Sequence, residues 1–593
     1  MLGTILSIDE DSVFVKINVN LDDFQSIVNC YVLMQDEEKM IVGEIVKLKD
    51  GIAEVKLIGE FIDNKFIGGI MRKPSFSASV RLISKEKMPM ILSVPNYNER
   101  LDVYIGESAI YRGVRIGFKI NDFFSSHFCI LGSSGSGKSW GTARLFQSIF
   151  DKKNTVAYRA SIFIFDAFGE YHSAFKEISK YAPEAAFKAY TTNTKISSSE
   201  VLKIPLWLLT IDDISQLLGV EKPTQLPIVE KTMKLVNVFA RNEEEVIKQK
   251  NDIIARALLD IFSSGKPAAQ IRDQVVSVLS NYHTKDLSLD ATIYQPGYVR
   301  TLNQCLIIDN SGKMREMELV TKYMQSFLDD SIELAMPDGS FMYGLKELSN
   351  AMDFALISEG SLNNARVYEE ANTLKVRLHE IMNSDEAVYF DCKEYINIDD
   401  YIKSLLMTGN GRKAQIINFN INYVDDRFAK IIIKIYSRIL FEYAKNLEKR
   451  ATIPFHIVLE EAHRYVQNDN DINIYGYNIF DRITKEGRKY GVILGLISQR
   501  PSDLSETSVS QCNNFLIFKM SHPRDVEYIR SMVPNITEEI VKRLKVLQPG
   551  NCIAFGAAFN VPVLVKMDKP DPAPASESCN ISETWFIDRK NNN

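Results

Sequence analysis

Eight residues, Gly132-Ser-Ser-Gly-Ser-Gly-Lys138-Ser139, fit the pattern G-x-x-x-x-G-K-[ST]. Glycines at these places let backbone N–H groups turn inward onto phosphate oxygens. Lys138 adds a point charge at the β- and γ-phosphates, and the Ser139 hydroxyl ligates Mg²⁺. A helix starting at the loop offers its positive end to the same anion. The bland alternative is a Gly/Ser surface turn. Here an apolar run, Phe128-Cys-Ile-Leu131, precedes the loop and a helical stretch, Trp140 to Phe150, follows it, as the pattern requires. The expected nucleotide-binding set is Gly132, Ser133, Ser134, Gly135, Ser136, Gly137, Lys138, Ser139 and Trp140, and the expected ligands are ATP and Mg²⁺.

Two further groups have useful chemistry. Glu460 and Glu461 close the apolar run Phe455-His-Ile-Val-Leu459. Beside a phosphate loop, one such carboxylate can hold Mg²⁺ through water and another can deprotonate the attacking water. The metal role goes to Glu460 and the base role to Glu461. Alone, two glutamates after a strand are ordinarily solvated; the phosphate loop reverses that reading. Gln499 follows the run Val492 to Ile497, where a polar amide can sense the γ-phosphate, although Pro501 is also a turn opener. Arg482, Lys485, Arg488 and Lys489 cluster around Glu486 and Gly487. Charge runs are normally solvated faces, yet a guanidinium here suits an arginine finger on a neighbour's nucleotide.

These residues need a scaffold, and the pattern around them supplies one. Ser161-Ile-Phe-Ile-Phe165, Ala414-Gln-Ile-Ile-Asn418, Phe455 to Leu459, Val492 to Ile497 and Phe515 to Phe518 read as buried strands. Helical stretches such as Phe428 to Lys445 alternate with them, which predicts a parallel sheet. Near the N-terminus, Ser12 to Ile17, Met40 to Val46 and Ile52 to Ile58 are β-branched and separated by turn residues. They predict a small barrel or sandwich whose exposed edges pair with neighbours. Val229 to Phe262 has apolar residues at helical spacing, more in keeping with a core than with a functional surface. Cys305-Leu-Ile-Ile308 reads as a strand within that helical region.

Composition narrows the class. The 593 residues are 45% apolar and 25% charged, the usage of a globular protein of several domains. The net charge is −6, from 70 basic and 76 acidic residues, so any nucleic-acid contact must use a local basic lining. Seven scattered cysteines, without a CxxC pair, fit neither a zinc site nor a disulfide framework. No apolar run of 18 residues occurs and the first residues turn acidic at once, so neither a spanning helix nor a secretory signal is expected. The expected location is the cytoplasm.

Taken together, Gly132 to Ser139, Asp166-Ala-Phe-Gly-Glu-Tyr171, Leu459-Glu-Glu-Ala-His463, Glu486-Gly-Arg-Lys-Tyr-Gly491 and Ser498-Gln-Arg-Pro501 resemble, in order and spacing, the HerA branch of the HerA/FtsK motor ATPases. The N-terminal strands resemble the HAS-barrel of that family. Asn551 to Gly556 and Val561 to Val565 resemble its closing strands. The resemblance implies an α/β fold: a RecA-like P-loop NTPase core with an N-terminal small β-barrel and a helical insertion. The implied divisions are a barrel over 1–88, core over 89–200 and 406–566, insertion over 201–405, and an extended tail over 567–593.

The same resemblance implies a homohexamer that hydrolyses ATP at subunit interfaces and moves double-stranded DNA through its pore. It implies an effector partner, such as a NurA-like nuclease, another nuclease or a sirtuin-like NADase, in DNA processing or antiphage defence. Catalysis would rest on Lys138, Glu460, Glu461, Gln499 and Arg488, with Ser139 and Glu460 on the metal. Arg464 and the 482–489 cluster are candidates for the pore lining. Many motors of the superfamily have Asp where Glu460 stands, and Asp166 and Glu170 fit the family motif without an evident physical role. A ring-shaped ATP-dependent scaffold and a soluble secretion or conjugation ATPase remain as alternative readings.

Overall fold

The computed structural model describes residues 1–19, 27–36, 39–195, 199–295, 297–360, 365–533, 536, 538–576 and 580–586. These divide into two units, one of residues 1–200, 402–469 and 477–593, the other of 201–401 and 470–476.

In the first unit, six N-terminal strands close into an antiparallel barrel. In spatial order they are Gly3–Ile8, Ser79–Leu82, Tyr31–Gln35, Met40–Lys49, Ile52–Ile62 and Ser12–Ile17. Closure is made where Ser12–Ile17 pairs with Ile52–Ile62, Val13 opposite Val55 and Val15 opposite Ala53. Alternation places Val13, Val15, Val32, Met34, Ile41, Ile45 and Val80 inside. The expectation of exposed pairing edges fails for these six strands, because closure gives each one two neighbours. A seventh strand, Lys65–Gly68, pairs outside the ring with Ile52–Ile62.

Seven parallel strands form the centre of a second sheet. Their order is Phe187–Thr191, Ile416–Asn420, Ile162–Asp166, Phe455–Leu459, Val492–Ser498, Phe128–Leu131 and Asn514–Phe518. Strands covered on both faces read as unbroken apolar runs, which is why six of these were visible in the residue pattern; Phe187–Thr191, at the half-buried side, carries Lys188 and Thr191 and does not read as a strand. Antiparallel strands Asn551–Gly556, Val563–Met567, Asp102–Ser108 and Arg115–Lys119 extend the sheet beyond Asn514–Phe518. Helix Asp426–Lys445 covers a face with Ile432, Ile435, Tyr436, Ile439 and Leu440. Its first turn is capped by the Asp425 carboxylate, which accepts the Phe428 N–H at 2.7 Å.

Barrel and sheet share one apolar cluster, in which Tyr31, Leu33, Val42 and Phe61 join Phe118, Phe123 and Val563. A polar latch lies beside it. Arg543, in helix Glu538–Leu544, donates to Glu44 at 2.6 Å and to Asn29 at 2.7 Å. Burial pushes the Glu44 carboxyl up from its ordinary range and Arg543 pulls it back.

The second unit is mainly helical, with helices Leu226–Phe239, Glu244–Ser263, Ala268–Asn281 and Leu345–Gly360 among its elements. Two expectations fail here. Cys305 to Ile308 is not a strand: Thr301 and Gln304 form a reciprocal cap that starts helix Leu302–Cys305, and Ile308 makes a lone bridge to Met314. Local capping outweighs the β-preference of a short apolar run. Residues 470–476, read with the core, belong to this unit and carry helix Asp471–Tyr475.

Residues 567–593 also depart from a plain extended tail. Met567 completes a strand, and Ile581–Trp585 is a helix. Between Met567 and Ser576 the chain is fastened to the elements around it. Gln147 Nε2 donates to the Pro572 carbonyl at 2.8 Å, Ser173 Oγ to the Ala573 carbonyl at 2.9 Å, and the Ala575 N–H to the Glu170 carbonyl at 2.9 Å.

Truncating Arg543 leaves Glu44 with a lost charge partner in a mostly buried setting. Arg543→Ala is expected to destabilise the first unit by about 1–3 kcal/mol, and Glu44→Gln in the same chain to restore part of that. Thermal unfolding of the two variants checks it, and equal midpoints for wild type and Arg543→Ala would remove the latch.

Candidate active site

The strand Phe128–Leu131 runs into the glycine loop, and the helix Lys138–Phe150 leaves it. Gly135 and Gly137 have φ of +72° and +93°, the left-handed region that glycine enters without cost. At Gly137 a Cβ would lie 2.8 Å from the Gly550 nitrogen, so even the space is reserved. The loop is tied down at several points. The Gly132 N–H donates to the Ser498 carbonyl at 3.2 Å, the Ser133 N–H to the Lys519 carbonyl at 2.9 Å, and the Gly550 N–H to the Ser136 carbonyl at 2.9 Å.

Lys138 is buried, with Nζ 3.4 Å from Glu461 Oε1 and both side chains under a tenth exposed. Glu461 adopts φ 49°, ψ 42°, left-handed geometry that a glutamate rarely takes. Its second oxygen, Oε2, lies 3.2 Å from His463 Nδ1 yet makes no hydrogen bond. Burial lowers the His463 pKa against the pull of Glu461, so this imidazole is neutral near pH 7. His463 Nδ1 also faces Ser498 Oγ at 3.1 Å, and Ser498 Oγ accepts the Arg500 N–H at 3.0 Å.

Glu460 points the other way. It is 1% exposed, and its Oε2 accepts the Ala167 N–H at 3.0 Å. Burial first, then the neighbouring Asp166 carboxylate, push its carboxyl well above the usual range. Crowding of the two carboxyls thus favours the protonated form of Glu460. Asp166 in turn accepts N–H bonds from Glu170 at 3.0 Å and Tyr171 at 2.9 Å, and one from Asn418 Nδ2 at 3.2 Å. That supplies the role the motif left open for Asp166: it fastens the start of helix Tyr171–Phe175.

The structure thus brings Gly132 to Ser139, Glu460 and Glu461 together at the C-terminal ends of three neighbouring parallel strands and the loop beside them. Such ends are where open α/β sheets bind ligands. Gln499 follows Ser498 at the same edge and is half-buried. Trp140 faces away into the chain terminus, donating from Nε1 to Ser576 Oγ at 3.1 Å. Arg488 does not join the group. It is exposed on the turn Gly487–Tyr490, before Val492–Ser498, at the opposite end of the strands. Its charge is felt there by His127, whose pKa falls to about 4 mainly through burial. Of the other basic candidates, Arg464 pairs with Asp426 and lies over the Phe168 ring, and Arg482 reaches Glu442 at 3.3 Å.

Two residues without an assigned role also reach the site, Glu170 and His463. The spacing of four between Asp166 and Glu170 is the signal for the first: an acceptor at a strand end folds the next turn back over it. His463 carries no signal beyond its place in Leu459 to His463.

The donor set fits a nucleotide and its metal. Inward glycine backbone, a buried lysine and a helix N-terminus suit phosphate. Ser136 Oγ and Glu461 Oε2 are buried and lack hydrogen-bond partners, and Ser139 stands on the first turn of the helix.

The chain is similar to several known proteins. The chain is 24% identical over 556 residues to "Probable DNA double-strand break repair helicase HerA" of Methanocaldococcus jannaschii, covering 92% of this chain and 90% of that protein. It is 33% identical over 168 residues to "Probable helicase MJ1565" of the same organism, covering 28% of this chain and about a third of that protein. Among solved structures, VirB4 of Thermoanaerobacter pseudethanolicus aligns with a TM-score of 0.40 at 14% identity, over 80% of this chain and 98% of that one. Residues 103–440, more than half of the chain, match the family described as "Helicase HerA, central domain", and the chain therefore belongs to the HerA helicase family.

Proposed function

We propose that this chain is an ATPase that couples hydrolysis to movement along double-stranded DNA. The observation that carries the reading is the buried Lys138–Glu461 contact on the phosphate loop, with Ser136 Oγ and Glu461 Oε2 unsatisfied beside it. The likeness to a named repair helicase over 92% of the chain supports the DNA substrate.

Incoming phosphate takes Lys138 from Glu461, and the released carboxylate becomes the base for the attacking water. Neutral His463 stands 3.2 Å from the other oxygen of that carboxylate, and Gln499 reads the γ-phosphate from the adjoining strand end. Mg²⁺ would be held by the Ser139 hydroxyl and, through water, by Glu460. When bound, the ion draws negative charge from the β- and γ-phosphates. Arg488, remote from its own loop, serves a neighbouring subunit in this reading; the family resemblance supports a homohexamer with sites between subunits. In this reading it works in the cytoplasm with an effector, a nuclease or a sirtuin-like NADase, in DNA processing or antiphage defence; the family resemblance supports that part. Among the described residues, no helix is long and apolar enough to cross a membrane.

Duplex DNA should accelerate ATP hydrolysis severalfold. A rate indifferent to DNA but raised by a co-purifying partner would favour the scaffold reading instead. Glu461→Gln should retain ATP binding, followed by fluorescence, while hydrolysis falls by about 10² or more. An active Glu461→Gln beside an inactive Glu460→Gln would exchange their roles. Arg488→Ala should lose about 10³–10⁵ in rate. Alone, Arg488→Ala and Lys138→Ala should each be inactive; mixed in one assembly they should regain partial ATPase. Verified mixed assemblies that stay silent would put the finger elsewhere, with Arg500 the next candidate.

A further inference from the structure

His463 lies outside the roles assigned above, yet two oxygens compete for one of its ring nitrogens. Ser498 Oγ is the hydrogen-bond partner of Nδ1 at 3.1 Å, while Glu461 Oε2, at 3.2 Å, is buried and makes no hydrogen bond. A ring nitrogen has a single in-plane direction, so it serves one partner at a time. The backbone fixes this contest. The Arg464 N–H donates to the Glu461 carbonyl at 2.8 Å, closing the turn that carries His463, and Gln467 Nε2 donates to the His463 carbonyl at 2.8 Å. Ser498 is fully buried and tied at two points. Its hydroxyl accepts the Arg500 N–H at 3.0 Å, and its carbonyl accepts the Gly132 N–H at 3.2 Å. His463 therefore stands between the carboxylate on Lys138 and the strand end that holds the phosphate loop, with Gln499 next along the chain.

We propose that His463 is a positioning residue for Glu461: with its proton on Nδ1 it bonds Ser498 while Lys138 is on the carboxylate, and it turns to Glu461 Oε2 when phosphate draws Lys138 away. The reason is charge. Glu461 Oε1 has Lys138 Nζ at 3.4 Å, and a buried carboxylate that loses its cation needs another donor. Nδ1 is already 3.2 Å from Oε2, so a small turn of the ring suffices. The bond made there holds the carboxylate still and leaves Oε1 to take the proton of the attacking water. The same turn gives up Ser498 Oγ, so the strand end beside Gln499 registers that the lysine has moved. Burial keeps the imidazole neutral, and a neutral donor does this without setting a second cation beside Lys138.

The inference rests on the ATPase reading, and the test keeps the two apart. Steady-state ATP hydrolysis by the full chain is measured for wild type and for variants at His463, Ser498 and Glu461. His463→Ala should lower kcat by about 10–100-fold, the worth of one hydrogen bond to a charged group, with KM for ATP little changed. His463→Asn offers an amide N–H near the place of Nδ1 and should recover most of that loss. His463→Leu fills the space without a donor and should not. Ser498→Ala removes the competing oxygen and should raise kcat by about 2–10-fold, the worth of one neutral hydrogen bond. In a His463→Ala background Ser498→Ala should change nothing, and in a Glu461→Gln background His463→Ala should add nothing. Should His463→Ala fail to fold, the Asn, Leu and Ser498 variants decide. An unchanged kcat in His463→Ala, equal losses in His463→Asn and His463→Leu, a fall in kcat for Ser498→Ala, or effects that add in either double variant overturn this inference alone. Wild type that hydrolyses no ATP overturns the ATPase reading and this inference with it.

Discussion

Four carboxylates, Asp166, Glu170, Glu460 and Glu461, converge beside one buried lysine, and the first unit is arranged around that imbalance. Unpaired charge in a dry interior is costly, so each acid must be satisfied or neutralised. Each is handled differently. Asp166 collects N–H donors, Glu460 accepts the Ala167 N–H while its carboxyl is pushed up, Glu461 takes Lys138, and burial pushes the Glu170 carboxyl up. No single element supplies the set. It takes strand ends from Ile162–Asp166 and Phe455–Leu459 and a loop from Phe128–Leu131, adjacent only because the parallel sheet orders them so.

What the sequence made legible follows from where information is local. The phosphate loop is contiguous, and its flanking strand and helix are close-packed in the chain, so its chemistry could be read directly. The buried strands could be read because covered parallel strands are apolar throughout. Glu170 could not be assigned, because its placement depends on Asp166 folding the chain back at the strand end. The small barrel was expected, but the pair that closes it was not legible: Ser12–Ile17 and Ile52–Ile62 are strands separated by two others. At Cys305 the apolar run misled, since a Thr-to-Gln cap decided the local structure.

The barrel and the sheet are coupled through a short path. Arg543 grips Glu44 and Asn29, and its helix, Glu538–Leu544, leads into Gly550, whose N–H holds the Ser136 carbonyl. Few residues separate the barrel wall from the phosphate loop along this route. The apolar cluster shared by barrel and sheet makes the connection stiff rather than hinged.

The left-handed backbone at Glu461 sets function against stability at a single position. A non-glycine residue there costs of order 1–3 kcal/mol, and glycine or asparagine would adopt the same geometry more cheaply. Replacing the glutamate would ease the backbone but leave Lys138 buried without its partner, so the two costs oppose each other here. Among related chains, a glutamate kept at this bend is a record of continued demand for its chemistry, and its loss would mark a descendant that had given up hydrolysis while keeping the fold.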